Sequence, residues 1–207
     1  MTQYVSKTTH LALTCAWCRD SSGETYTFDQ LLERITAFHG YPAPGLVIGL
    51  KMVDVAIAAI PDGILFDAVT ETGNCLPDAV QMLTSCTAGN GWLKMLDLGR
   101  FALALYDKHT GNGLRVFLDP RKVPNWPEID AWFFKRKPKA EQNSRLLLDE
   151  IQQAGASVLT TQKVQIDKHF MAKRPVGPRR ICPQCRESYP SSHGEICRAC
   201  QGASPYQ

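Results

Sequence analysis

From residue 27 to about residue 166, apolar positions recur with the periods of packed secondary structure. Phe28, Leu31, Leu32, Ile35 and Phe38 share one face at helical spacing. Thr27 precedes them with Gln30 three residues on, the sequence form of a capping box, so a helix is expected to start there and end near His39 and Gly40. Pro44, suited to a first helical turn, opens a second run in which Leu46, Leu50, Val53, Ile57 and Ile60 are flanked by Ile48, Met52 and Val55. Only Lys51 and Asp54 interrupt it, which predicts a helix buried on most sides and stopped by the turn residues Pro61, Asp62 and Gly63.

Beyond that turn the pattern predicts a strand over 64–70 and a short helix over 77–85. A hairpin follows over 101–106 and 114–118, joined by the turn sequence DKHTGNG. A helix over 141–153 is expected to turn Leu146, Leu147 and Ile151 inward and end at Gly155, with a last strand over 158–166. The stretch 92–96 fits no single period. Residues 122–139 are basic and proline-broken, with Trp126, Trp132, Phe133 and Phe134 interleaved. They read as a long loop packed on the core, with the cover of a site or a dimer surface as the alternatives. Few helices and hairpin-linked strands without regular βαβ alternation indicate an α+β class, a mixed helix and antiparallel-sheet core.

Composition narrows the picture. At 207 residues, 44% hydrophobic and 21% charged, the chain is a folded protein of one or two domains and not a disordered or low-complexity one. A formal net charge of +3 does not by itself imply a nucleic-acid partner. The most apolar stretch, 44–60, carries Lys51 and Asp54 and is too short for a membrane span. The first ten residues lack the apolar run of a secretion signal. The expectation is therefore a cytoplasmic protein whose thiols stay reduced.

The eight cysteines are the compositional outlier. Two C-x-x-C pairs, Cys182 with Cys185 and Cys197 with Cys200, lie in a tail of 27 residues (181–207) behind a proline-containing basic linker (171–180). So short a tail cannot build a hydrophobic core. Zinc takes four tetrahedral thiolates, and two such pairs supply them, so a structural zinc is expected to staple a zinc-ribbon-like module. Two disulfides or four free thiols are the alternatives, and His193 is a spare ligand. Full coordination leaves no open position for catalysis. Lys173, Arg174, Arg179, Arg180, Arg186 and Arg198 flank the site and suit phosphate contacts, but the thiolates offset their charge and no aromatic ladder accompanies them. Docking against protein is the expected role.

In the core (27–170), His39, Cys75 and Cys86 lie at helix ends and turns. They are candidates for a second metal or ligand site, or else a helix-terminal histidine and two small buried hydrophobes. The sequences FHGYPAPGLVIGLKM, ETGNCLPDAVQ (with Glu71, Cys75, Asp78, Ala79 and Gln81) and CTAGNGWL followed by DLGRFALALYD resemble the E-subunit family of formylmethanofuran dehydrogenase, closely over 27–120 and by the zinc module over 180–202. The resemblance implies an α+β core with a metal site near F-H-G, often a C-terminal zinc finger, and homodimers. It also implies a chain that is not the catalytic subunit of the molybdenum or tungsten enzyme. The family usually carries F-H-G-H-x-C-P-G, and this chain has Tyr41 and Ala43 in place of the second histidine and the cysteine. The core site is then a three-ligand centre open to water chemistry, or it is lost. Cys15 and Cys18, in the N-terminal extension (1–26), are read as a redox pair, as replacement ligands, or as unligated thiols.

Three functional classes follow. The first is a zinc-binding accessory protein, dimeric, serving a molybdenum or tungsten oxidoreductase or holding a small molecule over His39. The second is an enzyme using His39 and Asp78, with Cys75 or Cys86, in acid–base or metal-assisted chemistry. The third is a nucleic-acid-binding regulator.

Overall fold

A computed structural model describes residues 16–172 and 177–206. Cys15, Lys173 and Arg174 lie outside the described residues. The chain divides into two compact units, one ending at Asp167 and the other starting at Lys168.

The first unit begins with a small hairpin, β1 (Cys18–Arg19) and β2 (Thr25–Tyr26). Helix α1 (Phe28–His39) follows, and both halves of its capping box form: Thr27 Oγ1 accepts from Gln30 N–H while the Gln30 side chain accepts from Thr27 N–H. Gly40, at φ 91°, ends it in the left-handed conformation that favours glycine. Phe38, expected on the inner face, is instead 55% exposed, because the buried stripe is Phe28, Leu31 and Ile35.

Helix α2 (Pro44–Ile57) is the spine of the unit, with Leu46, Val47, Ile48, Leu50, Met52, Val53 and Ala56 buried. Its polar stripe is covered by β1. Lys51 donates to the Trp17 carbonyl and to Asp54 (3.0 Å), and Asp54 accepts from Arg19 N–H at 2.8 Å. Trp17 meets Phe28 edge-on and donates from Nε1 to the Gln152 carbonyl. Trp17, Cys18 and Tyr26 therefore belong to the same apolar cluster as α1 and α2.

Strand β3 (Phe66–Thr70) leads through α3 (Leu76–Leu83) to the short β4 (Leu93–Met95), which lies parallel to β3. Strands β5 (Ala102–Asp107) and β6 (Asn112–Leu118) form the expected hairpin, and β7 (Leu159–Gln165) closes the sheet. The order is β4-β3-β5-β6-β7, antiparallel except for β3 with β4. Leu103, Leu105, Val116 and Leu118 of the sheet join the cluster built around α2. The basic aromatic stretch is not a simple loop: residues Pro127–Phe133 form helix α4. Helix α5 (Ser144–Ala154) buries Leu147 and Ile151 but leaves Leu146 50% exposed, against expectation.

The second unit holds α6 (Lys168–Met171) and a two-stranded hairpin of β8 (Arg179–Ile181) and β9 (Ser188–Pro190). Its apolar cluster is Cys182, Tyr189 and Cys197, with Ile196 and Cys200 packed against it. So small a cluster cannot hold a fold by burial alone. No single helix among the described residues is long and apolar enough to cross a membrane.

Candidate functional site

The four tail sulfurs converge. Each lies within 4.8 Å of the others, with Cys182 Sγ 3.8 Å from Cys200 and Cys185 Sγ 3.7 Å from Cys197. Four thiolates bound to one zinc at about 2.3 Å stand about 3.8 Å apart at the edges of a tetrahedron, so the donor set fits that ion. The arrangement follows from the β8–β9 hairpin, which returns the chain after Cys182 and Cys185, and from the turn at 197–201, which brings back the second pair. Backbone N–H groups of Cys197 and Cys185 hold Cys182 down at about 6, whereas hydrogen bonding to Cys197 and burial push Cys200 up to about 12. His193 lies outside the ligand group, and its carbonyl instead accepts from Gln201.

The core candidates separate. His39 Nδ1 lies 2.9 Å from Asp78 Oδ2, joining the last turn of α1 to the first turn of α3. The Tyr41 ring tilts against His39 at 5.1 Å between centroids. Cys75, three residues before Asp78, caps α3 with φ 58° and ψ −48°, a conformation that costs a non-glycine residue energy and that clusters at functional sites. Its sulfur lies against Gly45 in the first turn of α2, where a Cβ would stand 3.0 Å from Sγ. Glu71 fixes the loop that delivers Cys75, its carboxylate gripped by Arg115 on both oxygens (2.6 and 2.8 Å) and by Arg100 at 2.7 Å. Those guanidiniums, Arg115 first, hold the Glu71 carboxyl below the usual carboxylate range.

Cys86 is not with them. It follows α3, whose eight residues span about 12 Å at 1.5 Å each. There it is buried, directs its thiol toward the Phe66 carbonyl, and lines a small recess with Trp92 and Lys108. Cys18 is buried beside Lys51, about six residues and hence roughly 9 Å along α2 from Gly45. Among the described residues, the tail cysteines are the one group of three or more metal-ligating side chains with atoms this close. Burial pushes the Cys86 thiol up to about 11 and that of Cys18 up to about 12, and burial with Asp78 also raises Cys75, opposed by Lys135. None of the three core thiols is tuned toward the thiolate that nucleophilic or redox work requires.

Cys75 instead floors a cleft of about 740 Å³ between the α1–α2 turn, the end of α4 and the start of α5. Tyr41 and Ala43 line it, so both positions where the resembled family places donors face Cys75 across one cavity, here with a phenol and a methyl group. Trp132 of α4 and Leu147 and Leu148 of α5 form an apolar wall. Phe101 backs that wall, meeting Trp132 and Phe133 edge-on, and Phe133 tilts against Trp132. The interleaved aromatics of 122–139 hinted at this wall, and Gly45 stood as the last residue of the resembled F-H-G-H-x-C-P-G motif, but nothing in the sequence marked the strain at Cys75.

Comparison with known proteins agrees with this architecture. A family model described as "FmdE, Molybdenum formylmethanofuran dehydrogenase operon" matches residues 38–167, and one described as "FmdE treble clef zinc finger" matches residues 173–207. The chain is similar to a tungsten formylmethanofuran dehydrogenase FmdE-like protein from Syntrophus aciditrophicus, known from a crystal structure, with TM-score 0.83, 50% identity, and 92% of this chain and 99% of that one covered. It is also similar to a probable S-adenosyl-L-methionine-binding protein of Archaeoglobus fulgidus, 28% identical over 84% of this chain, although it spans only about half (53%) of that relative. A zinc finger of the treble clef type thus accounts for the tail. With its core and tail both matched, the chain belongs to the FmdE family.

Proposed function

We propose that this chain is a ligand-binding accessory protein in which zinc holds the tail together and the cleft over Cys75 holds a small molecule. The observation that carries this reading is the cleft itself. Its volume lies in the range of small-molecule sites, and apolar walls accompany a few polar side chains, Cys75 among them. Among the described residues Cys75 belongs to no close group of three or more metal-ligating side chains, and positions 41 and 43 carry Tyr41 and Ala43. The descriptions of the family and of the similar crystal structure support a molybdenum or tungsten oxidoreductase as the protein served.

Zinc would be held by Cys182, Cys185, Cys197 and Cys200, where it supplies structural cross-linking and no open coordination position. Metal analysis of the purified chain tests the division of labour. One zinc per chain is expected, lost in Cys182→Ser and kept in Cys75→Ser. A second metal that disappears in Cys75→Ser would replace the ligand cleft with a metal centre.

The name of the Archaeoglobus fulgidus relative favours S-adenosyl-L-methionine as a particular ligand. The cations at the cleft rim oppose its sulfonium charge. Calorimetric titration with that compound decides between the two.

A further inference from the structure

The reading of the cleft as a ligand site leaves its ligand class open, and the charges around it are informative on that point. Lys135, Lys137 and Lys139 line the cleft, and among the described residues no carboxylate does. The neighbouring Arg136 is neutralised by Asp130, and Lys137 lies 3.2 Å from Glu128. Lys135 and Lys139 form no ion pair among the described residues. Lys135 Nζ instead stands 5.5 Å from the centre of the Trp132 ring, and Lys139 Nζ stands 5.5 Å from that of Tyr41. Lys135 is also one of three non-glycine residues with positive φ among the described residues (55°), as is Cys75 on the cleft floor (58°). Backbone strain of this kind persists where the surrounding structure holds it, and functional sites are where it gathers. The cleft therefore combines an apolar aromatic wall with a cationic rim that no protein carboxylate fully neutralises.

Resting on that reading, we propose that the cleft binds a flat aromatic anion: a ring system packed against Trp132 and Tyr41, carrying a phosphate, sulfonate or carboxylate that Lys135 and Lys139 meet, with Lys137 adding to the field. Ring and charge are recognised separately. Burial against the wall supplies affinity, and the rim supplies the preference for negative charge.

Two fluorescent probes separate these contributions on the full-length, zinc-loaded protein. 8-Anilinonaphthalene-1-sulfonate carries the anion, and N-phenyl-1-naphthylamine has the same ring system without it. The wild-type protein is expected to bind the sulfonate about tenfold more tightly than the neutral probe at low salt. The preference should shrink as salt rises, because the lysines are exposed. Replacing Lys135, Lys137 and Lys139 together by Gln should abolish the preference and leave binding of the neutral probe within about twofold, which also reports that the cleft remains folded. Trp132→Leu should weaken both probes.

Equal affinities in the wild type, or a preference that survives the triple replacement, would overturn the anion assignment while leaving a ligand cleft standing. Failure of both probes to bind, or binding of both that ignores Trp132→Leu, would remove the ligand cleft itself and the anion assignment with it.

Discussion

Glu71 shows how one side chain can position a site it does not touch. Its carboxylate is buried between Arg115 and Arg100, and its backbone carbonyl accepts from Leu98 and Arg100 N–H groups. Its folded-state pKa is depressed, chiefly by Arg115. The stabilisation is therefore present above the unfolded value of about 4.3 and lost as pH falls through and below it. Glu71→Gln should destabilise the fold by about 2–3 kcal/mol near neutral pH. The gap between the melting temperatures of variant and wild type should close as pH is lowered from about 6 to about 3. A gap that is independent of pH would show that the charge contributes nothing. Gly49 makes a steric counterpart. A Cβ there would stand 2.8 Å from the Ala79 Cβ and 3.0 Å from Leu76 Cδ2, so α2 and α3 touch at this point. Alanine favours a helix over glycine by about 1 kcal/mol, but here the overlap wins. Gly49→Ala should lower stability in urea unfolding by about 1–3 kcal/mol, and adding Ala79→Gly should recover part of the loss. The sequence showed Glu71 as part of a motif, but its two arginine partners come from β6 and the loop before β5, so its electrostatic role was not legible there.

Helices carrying their own signals were legible at the scale of elements. Thr27 with Gln30 starts α1 and Gly40 stops it, both within the local chain. Helix α4 was missed although Pro127 opens it and Glu128 and Asp130 lie in its first turn, because seven residues are too few to show a period and its cap is not local. The N–H groups of Glu128 and Ile129 at its start donate to Glu150 Oε2 of α5, at 2.9 and 3.1 Å. A cap borrowed from more than twenty residues away leaves no mark in a sequence window. Glu150→Ala should cost about 1 kcal/mol, as loss of a cap does. It should also loosen the Trp132 wall, read as a change in tryptophan emission and faster amide exchange over 127–133. An unchanged exchange rate there would mean that the cap is dispensable. Periodicity similarly placed Leu146 on the inner face of α5, yet Leu147 and Ile151 take that face and Leu146 stays outside. A three-residue stripe has two nearly equal solutions, and only the packing partner chooses between them.

The two units of the molecule are held by different forces. The first has a continuous apolar cluster from β1 to β7. The second has three buried residues among those described, two of which are cysteines of the metal group. Removing zinc with a strong chelator should therefore melt the second unit and spare the first. Hydrogen exchange should show residues 177–206 losing protection while 28–165 keep theirs. Protection retained in the tail without metal would mean that the thiols are not what holds it.

The sequence by itself determined the elements with local signals, the α+β class and the zinc-binding tail. Capping boxes, turn residues and C-x-x-C spacing act over a few residues, and the chain that carries them also completes them. Tertiary structure alone decided the division of the core cysteines. Their places at helix ends and turns made Cys75 and Cys86 candidates for one site, but the rigid length of α3 holds them apart and burial raises both thiols. It also decided the cleft, because Gly45, Cys75 and Trp132 come from three helices and their starting turns, and they meet only when those helices pack around α2. Such a convergence is set by packing between segments far apart in the chain, where no local pattern reaches.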